Sequence, residues 1–257
     1  MKIKALLFVH LLLLVLLGMF YCSFTYPFIE SIDRHFFLML NSPLEGRPLV
    51  QLFWAFMNHN KADLVEDGVF LLFFFLGILN TPKGQKTHRL AQFLFSCLII
   101  GSIIYCVNHT LLRSHTLIPR KSPSLVIEPC VRLSKTLPWL TVKDKTFLSF
   151  PGDHATTLIL FASLYSFFVG RRLGKYTWFY AVFRFMPRLV VGAHWLSDIL
   201  IGSVSLALFF LSWILCTPYH KQIIALIEKG LLYLARMYRS RKEIAVDEEK
   251  PFYSIEK

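Results

Sequence analysis

The chain has no pair of closely spaced cysteines. Its five cysteines, Cys22, Cys97, Cys106, Cys130 and Cys216, form no C-x-x-C pair, and all but Cys130 lie in or beside apolar runs. This argues against a zinc site and against a disulfide framework. Acidic residues are scarce as well: 16 Asp and Glu stand against 28 Lys and Arg, a formal net charge of +12. In a soluble protein that balance would point to nucleic acid, but no nucleic-acid motif is present. The cations mostly flank apolar runs, the pattern that orients membrane proteins. A cleavage site is lacking too: no small-x-small tripeptide follows the first apolar run, Ala5–Phe24. That run exceeds the roughly 7–15 residues of a signal-peptide core, so it reads as an uncleaved first span.

What the chain has in abundance is apolar surface. Apolar residues make up 55% of its 257 residues, and 25 of them are Phe. This composition indicates a polytopic, all-α membrane protein. With roughly 20 apolar residues needed per span, the further candidates are Leu64–Asn80, Ala91–Leu112, His154–Gly170, Tyr176–Gly192 and Trp195–Cys216. Residues 1–216 would form one six-span membrane domain. Between the first two spans, Pro27–Asn60 reads as short amphipathic segments at the membrane surface. The remainder, 217–257, reads as a tail: Ile223–Tyr238 amphipathic and basic, Glu243–Lys257 disordered.

Six spans place four basic clusters on one side: Lys2 and Lys4; Lys83, Lys86 and Arg89; Arg171, Arg172 and Lys175; Arg236, Arg239, Arg241 and Lys242. By the positive-inside rule that side is the cytoplasm. The loop Arg113–Ser149 then faces outward although it is basic. Either a loop of this length tolerates charge, or its cations meet an anionic substrate.

The same outer face receives the charged residues that are hardest to explain inside apolar runs. Arg188, His194 and Asp198 lie around the start of the sixth run, and Gly152-Asp153-His154 opens the fourth. His194 and Asp198 are four residues apart and share a helical face. Asp198 is then placed to accept a hydrogen bond from one ring nitrogen of His194, leaving the other to attack. His154 suits a general acid. Arg188, with Arg120 and Lys121 from the loop, suits the charge on phosphoryl oxygens, and Gly152 suits an exposed backbone N–H facing an anion. Each residue has a plainer reading: the histidines as polar anchors, Arg188 as a snorkelling residue, Asp153 as a helix N-cap. Asn108, His109 and His115 read as packing or interface residues. Glu66 and Asp67 read as partners of the basic loop in preference to metal ligands.

The sequence resembles the type 2 phosphatidic acid phosphatase superfamily, whose blocks are K-x6-R-P, P-S-G-H and S-R-x5-H-x3-D. The third block is matched by Pro187-Arg188-x5-His194-x3-Asp198 and the second by Pro151-Gly152-Asp153-His154. The first is reduced to the spacing Arg113-x6-Arg120, with Lys121 in place of proline. These departures, with Asn58-His-Asn60, Leu117-Ile-Pro119 and Gly192-Ala-His-Trp195, are similar to the Kdo2-lipid A phosphotransferase branch. The resemblance implies a metal-independent enzyme of the bacterial inner membrane, without cofactor, with its active site facing the periplasm. Its partners would be undecaprenyl diphosphate as phosphoryl donor and the 1-phosphate of lipid A as acceptor. His194 would carry the phosphoryl group, His154 would protonate the leaving group and Asp198 would hold His194. Arg188, Arg120 and Lys121 would grip the phosphates, with Gly152 and Asp153 beside the substrate. Two alternatives stay open: a lipid-phosphate phosphatase with water as acceptor, and a non-catalytic lipid-phosphate carrier or scaffold.

Overall fold

A computed structural model describes residues 3–113 and 119–248. His115, Lys2 and residues 249–257 of the tail lie outside the described residues. Helices α1 (Ile3–Tyr21), α2 (Tyr26–Asn41), α3 (Pro48–Met57), α4 (Ala62–Leu79) and α5 (Lys86–Ser102) come first, and α5 continues as a wider π-type helix over Ile103–Arg113. The loop that follows holds two single turns, α6 (Pro123–Val126) and α7 (Leu133–Thr136). Then come α8 (Asp153–Val169), α9 (Arg171–Val190), a π-type start at Asp198–Ser203 running into α10 (Val204–Cys216), and α11 (Tyr219–Glu248). No strand forms among the described residues; an isolated bridge joins His59 to Val142.

The centre of the bundle is α8. It is apolar nearly all round, and a helix of that kind is stable only when neighbours cover it on every side. Leu158, Leu160, Ala162 and Leu164 are completely buried. Leu160 and Leu164 meet Ala207 and Leu211 of α10, while Leu158 and Ala162 meet Ala181 of α9. The opposite faces of the outer helices carry exposed apolar side chains, such as Leu71, Leu72 and Phe75 of α4 and Phe179, Val182 and Phe183 of α9. An apolar belt of this kind matches a hydrocarbon surrounding.

Three helical stretches are long and apolar enough to cross a membrane: Ile3–Tyr21, Lys83–Leu112 and Asp198–Cys216. The other expected spans also form helices, but fall short of that standard for visible reasons. α8 has 17 residues, about 26 Å at 1.5 Å per residue, against a hydrocarbon thickness near 30 Å. α4 carries Asp63, Glu66 and Asp67, and α9 carries five cations.

The stretch between the first two spans forms two short helices, α2 and α3, each packed onto the bundle by one face. α2 buries Asp33, Phe37 and Asn41, spaced by four along one face, and packs against α9. Ala55 of α3 joins a core with Leu133, Val142, Val191 and Ala193. The loop is likewise folded. Asn41 Nδ2 donates to Val131 O (3.1 Å) and Val190 O (3.0 Å), and its Oδ1 accepts from Val131 N (2.8 Å). Asn58 Nδ2 donates to Pro187 O at 3.0 Å, and Lys143 N donates to Asn58 O at 3.0 Å. The Asn41 amide satisfies loop backbone groups that would otherwise be left unpaired, while the Asn58 amide ties α3 to α9 and its backbone carbonyl holds the loop. The tail, too, joins the bundle: Ile224 of α11 packs with Ala91 and Phe95 of α5, His88 Nδ1 lies 2.8 Å from Glu228 Oε2, and the helix runs to Glu248, into the stretch expected to be disordered.

α8 and α9 reverse direction at Gly170 (φ 109°) and approach closely at Gly174, where a Cβ would stand 2.8 Å from Ser166 Cα. Gly174→Val should therefore push the two helices apart. The expected loss is about 1–3 kcal/mol, read as a lower unfolding temperature in detergent. An unchanged transition would mean that this contact does not set the α8–α9 distance.

Candidate active site

One end of the bundle collects the ends of its principal helices. α1, the π-type stretch after α5, and α9 finish there, while α4, α8 and the α10 segment begin there. A cavity of about 510 Å³ opens among them, lined in part by Asp63, Glu66, Asp67, Lys143, Lys145, Asp153, His154, Arg188 and His194. Both predicted histidines and the predicted arginine thus share one space.

His194 owes its position to the turn after α9. Ala193 N bonds back to Arg188 O at 2.9 Å, and the chain reverses at Gly192, whose φ is +74°. A side chain at Gly192 would be strained by that φ, and its Cβ would stand 2.6 Å from the Phe37 ring. The Nδ1 of His194 lies 2.8 Å from Ser149 O. A carbonyl only accepts, so this bond places the proton on Nδ1 and leaves the Nε2 lone pair available. Asp198 was expected to make that orienting bond. Its Oδ2 stands 3.7 Å from Nδ1, outside hydrogen-bond range, because it accepts the Trp195 N–H at 2.8 Å. Asp198 therefore acts on His194 through charge, while Ser149 orients the ring.

The other oxygen of Asp198 explains a second departure. Arg120, expected to grip phosphate, does not line the cavity. It is buried behind His194, its Nη1 donating to Asp198 Oδ1 (2.6 Å) and Ser197 Oγ (2.7 Å), and its Nη2 to Asp33 Oδ2 (2.6 Å). Its guanidinium lies between the rings of Phe20 (5.3 Å) and Trp195 (5.1 Å). Burial opposes its charge, but Asp198 and Asp33 outweigh that and hold it above the ordinary arginine value. Asp33 also accepts from Ser197 N at 2.8 Å. Lys121 is exposed and outside the cavity; its carbonyl accepts from Trp195 Nε1 at 2.8 Å. The lysines that face the cavity come from later in the loop, Lys143 and Lys145.

Across the cavity, α4 and α9 face each other in two charged rungs. Arg188 Nη2 lies 3.4 Å from Asp63 Oδ1, and Lys143 pairs with the same carboxylate. One turn deeper, Arg184 Nε donates to Glu66 Oε2 at 3.0 Å and Arg184 Nη1 to Met57 O at 3.2 Å. Glu66 thus pairs with a helix arginine and not with the basic loop. His154 Nε2 stands 3.2 Å from the same Glu66 oxygen. Asp153 accepts the His154 backbone N–H at 2.8 Å, as a helix-start carboxylate does, and lies 3.6 Å from His109 Nε2. Gly152 is buried outside the cavity lining. Its carbonyl accepts from Thr156 Oγ1 (2.7 Å) and Ser203 Oγ (2.8 Å), and an added Cβ would lie 3.5 Å from the His194 ring. A side chain there would meet the His194 ring at ordinary contact distance and crowd only Ser203 Oγ, at 3.3 Å.

Asp33, Arg184 and Ser149 are site residues that the sequence reading did not single out. Arg184 had a readable signal: it sits four residues before Arg188 in an apolar run, so both face the same way. Ser149 had none, since its carbonyl and not its side chain makes the contact.

Two substitutions separate the loop cations. Arg120→Met leaves Asp33 and Asp198 buried beside each other without a cation, and should destabilise the protein by about 3–5 kcal/mol. Lys121→Ala should change stability by no more than about 0.5 kcal/mol, as exposed positions usually do. Thermal unfolding of the two variants in detergent reads both; equal losses would contradict the burial of Arg120.

The PAP2 superfamily matches residues 121–222, a stretch that holds His154, Arg188, His194 and Asp198. The chain is 30% identical over 221 residues to the lipid A 1-diphosphate synthase of Escherichia coli (strain K12), covering 82% of this chain and 86% of that protein. No solved structure matches. A cavity with two histidines and an arginine, inside a matching region and with a relative that covers most of the chain, leads to one assignment: the chain belongs to the PAP2 superfamily and is an enzyme of the phosphotransferase or lipid phosphatase kind.

Proposed function

We propose that the protein moves a phosphoryl group from undecaprenyl diphosphate to the 1-phosphate of lipid A through a phosphohistidine at His194. The observation that carries this reading is the His194 ring itself. Its Nδ1 is held by the Ser149 carbonyl, so Nε2 presents its lone pair in a cavity shared with His154 and Arg188.

In the first half-reaction, Nε2 of His194 forms a bond to the terminal phosphorus as the bond to the bridging oxygen breaks. His154 gives its proton to that oxygen, and undecaprenyl phosphate departs. The positive charge that forms on the His194 ring is met by Asp198, at 3.7 Å. In the second half-reaction an oxygen of the lipid A 1-phosphate attacks phosphorus and releases Nε2. Arg188, Lys143 and Lys145 stabilise the charge on the phosphoryl oxygens. Asp63 occupies Arg188 and Lys143 in this structure, and an incoming diphosphate competes with it for them.

The placement in the membrane follows the same logic. Six spans, α1, α4, α5 with its π-type extension, α8, α9 and α10, put the cavity at one lip of the bilayer. Lys83, Lys86 and Arg89 stand at the opposite end of α5, and Arg171, Arg172 and Lys175 at the opposite end of α9. The positive-inside rule makes that opposite end cytoplasmic, so the cavity faces the periplasm of a bacterial inner membrane. The charges within the spans are tolerated because Asp63, Glu66, Asp67 and Arg188 face the cavity and Arg184 pairs with Glu66 beside it.

Purified protein given labelled undecaprenyl diphosphate and lipid A should transfer the label to lipid A, and His194→Ala should lower turnover by about 10⁴-fold or more. Label appearing only as free phosphate, with or without lipid A, would make the protein a phosphatase. Turnover by His194→Ala close to that of the unaltered protein would remove the phosphohistidine.

A further inference from the structure

We propose that Glu66 is a positioning residue for His154: held from behind by Arg184, it fixes the orientation of the imidazole over the cavity. The inference rests on the reading of His154 as the general acid.

Glu66 is a buried charge that stability alone does not explain. Glu66 lies within α4 and is 5% exposed. A buried carboxylate with an arginine partner is a weak stabiliser, since desolvation of both groups offsets most of their attraction. Here, however, one oxygen serves two groups. Glu66 Oε2 accepts from Arg184 Nε at 3.0 Å and lies 3.2 Å from His154 Nε2. Arg184 is anchored in turn to the Met57 carbonyl. The chain of contacts therefore runs from the last residue of α3, through a fixed guanidinium, to the carboxylate and then to the ring.

The geometry at the ring favours a positioning role over a closed ion pair. His154 Nε2 is buried and lies at ion-pair distance from Glu66, yet it is not aligned with any hydrogen-bond acceptor. The carboxylate stands beside the ring nitrogen and not in front of it. With Nε2 held against Glu66, the proton for a substrate oxygen in the cavity that His154 lines comes from the other ring nitrogen, Nδ1. Asp63, one turn earlier on α4, is taken by Arg188 and Lys143, so the two carboxylates divide the work: one by the phosphate-facing cations, one by the acid.

The test is a set of variants in the full-length protein, assayed for transfer from undecaprenyl diphosphate to lipid A. Glu66→Gln keeps the size of the side chain and an acceptor for Arg184 but removes the charge. It should lower kcat about 10- to 100-fold with KM nearly unchanged, Glu66→Asp should recover part of the loss, and His154→Ala should cost about 10²–10⁴-fold. The deciding measurement is the double variant: Glu66→Gln added to His154→Ala should cost nothing more, because Glu66 acts through a ring already gone. Should Glu66→Gln fail to fold in detergent, Glu66→Asp carries the same comparison. An equal loss from the Glu66 change with and without His154, or a rise in KM at constant kcat, would overturn the inference while leaving His154 as the acid. Wild-type turnover by His154→Ala would remove the general-acid reading, and the inference with it.

Discussion

The buried contact between Arg120 and two carboxylates holds the active end of this protein together. Asp33 comes from α2, Arg120 from the loop, and Asp198 from the start of the α10 segment. Three stretches of chain distant in sequence meet at one guanidinium, whose planar fork can serve both acids at once. The rings of Phe20 and Trp195 close over it and keep water away. Because Asp198 also holds the Trp195 N–H, the contact fixes the turn on which His194 stands. An interaction that reads as electrostatic thus does geometric work.

Charge in the rest of the site is arranged in layers. Behind His194 lies the cluster of one cation and two carboxylates, and in front lies the open cavity. On the far wall the α4 carboxylates face the α9 arginines in two rungs. Burial of this many charges is tolerated because each has a partner within reach. It also explains part of why α4 and α9 look poor as membrane spans: Asp63, Glu66, Asp67, Arg184 and Arg188 line or support the cavity, while Arg171, Arg172 and Lys175 stand at the far end of α9.

Much of this was legible in the sequence. The period and length of the apolar runs gave the principal helices within a few residues, since burial of an apolar helix leaves a direct trace in composition. Arg188, His154 and His194 stood out because charge beside an apolar run demands a reason, and the three do share a cavity. Arg120 was legible as unusual, but not its direction: spacing from a motif does not say whether a guanidinium faces substrate or the protein interior. Asp33 was hidden in a segment that reads as amphipathic surface, where one buried acid looks like any exposed one. Ser149 was illegible because a backbone carbonyl has no residue type. The folding of the loop depended on the Asn41 amide and the Asn58 backbone carbonyl, which pair with backbone far away in sequence, beyond the reach of any local pattern.

The central claim is that phosphorus passes through the free nitrogen of His194. Rapid acid-free quenching of the protein with labelled undecaprenyl diphosphate, in the absence of lipid A, followed by peptide mass spectrometry tests it directly. The account predicts a phosphoryl group on the peptide containing His194, stable to base, labile to acid and lost when lipid A is added. A label on His154, or active protein that never carries phosphorus on His194, would contradict it.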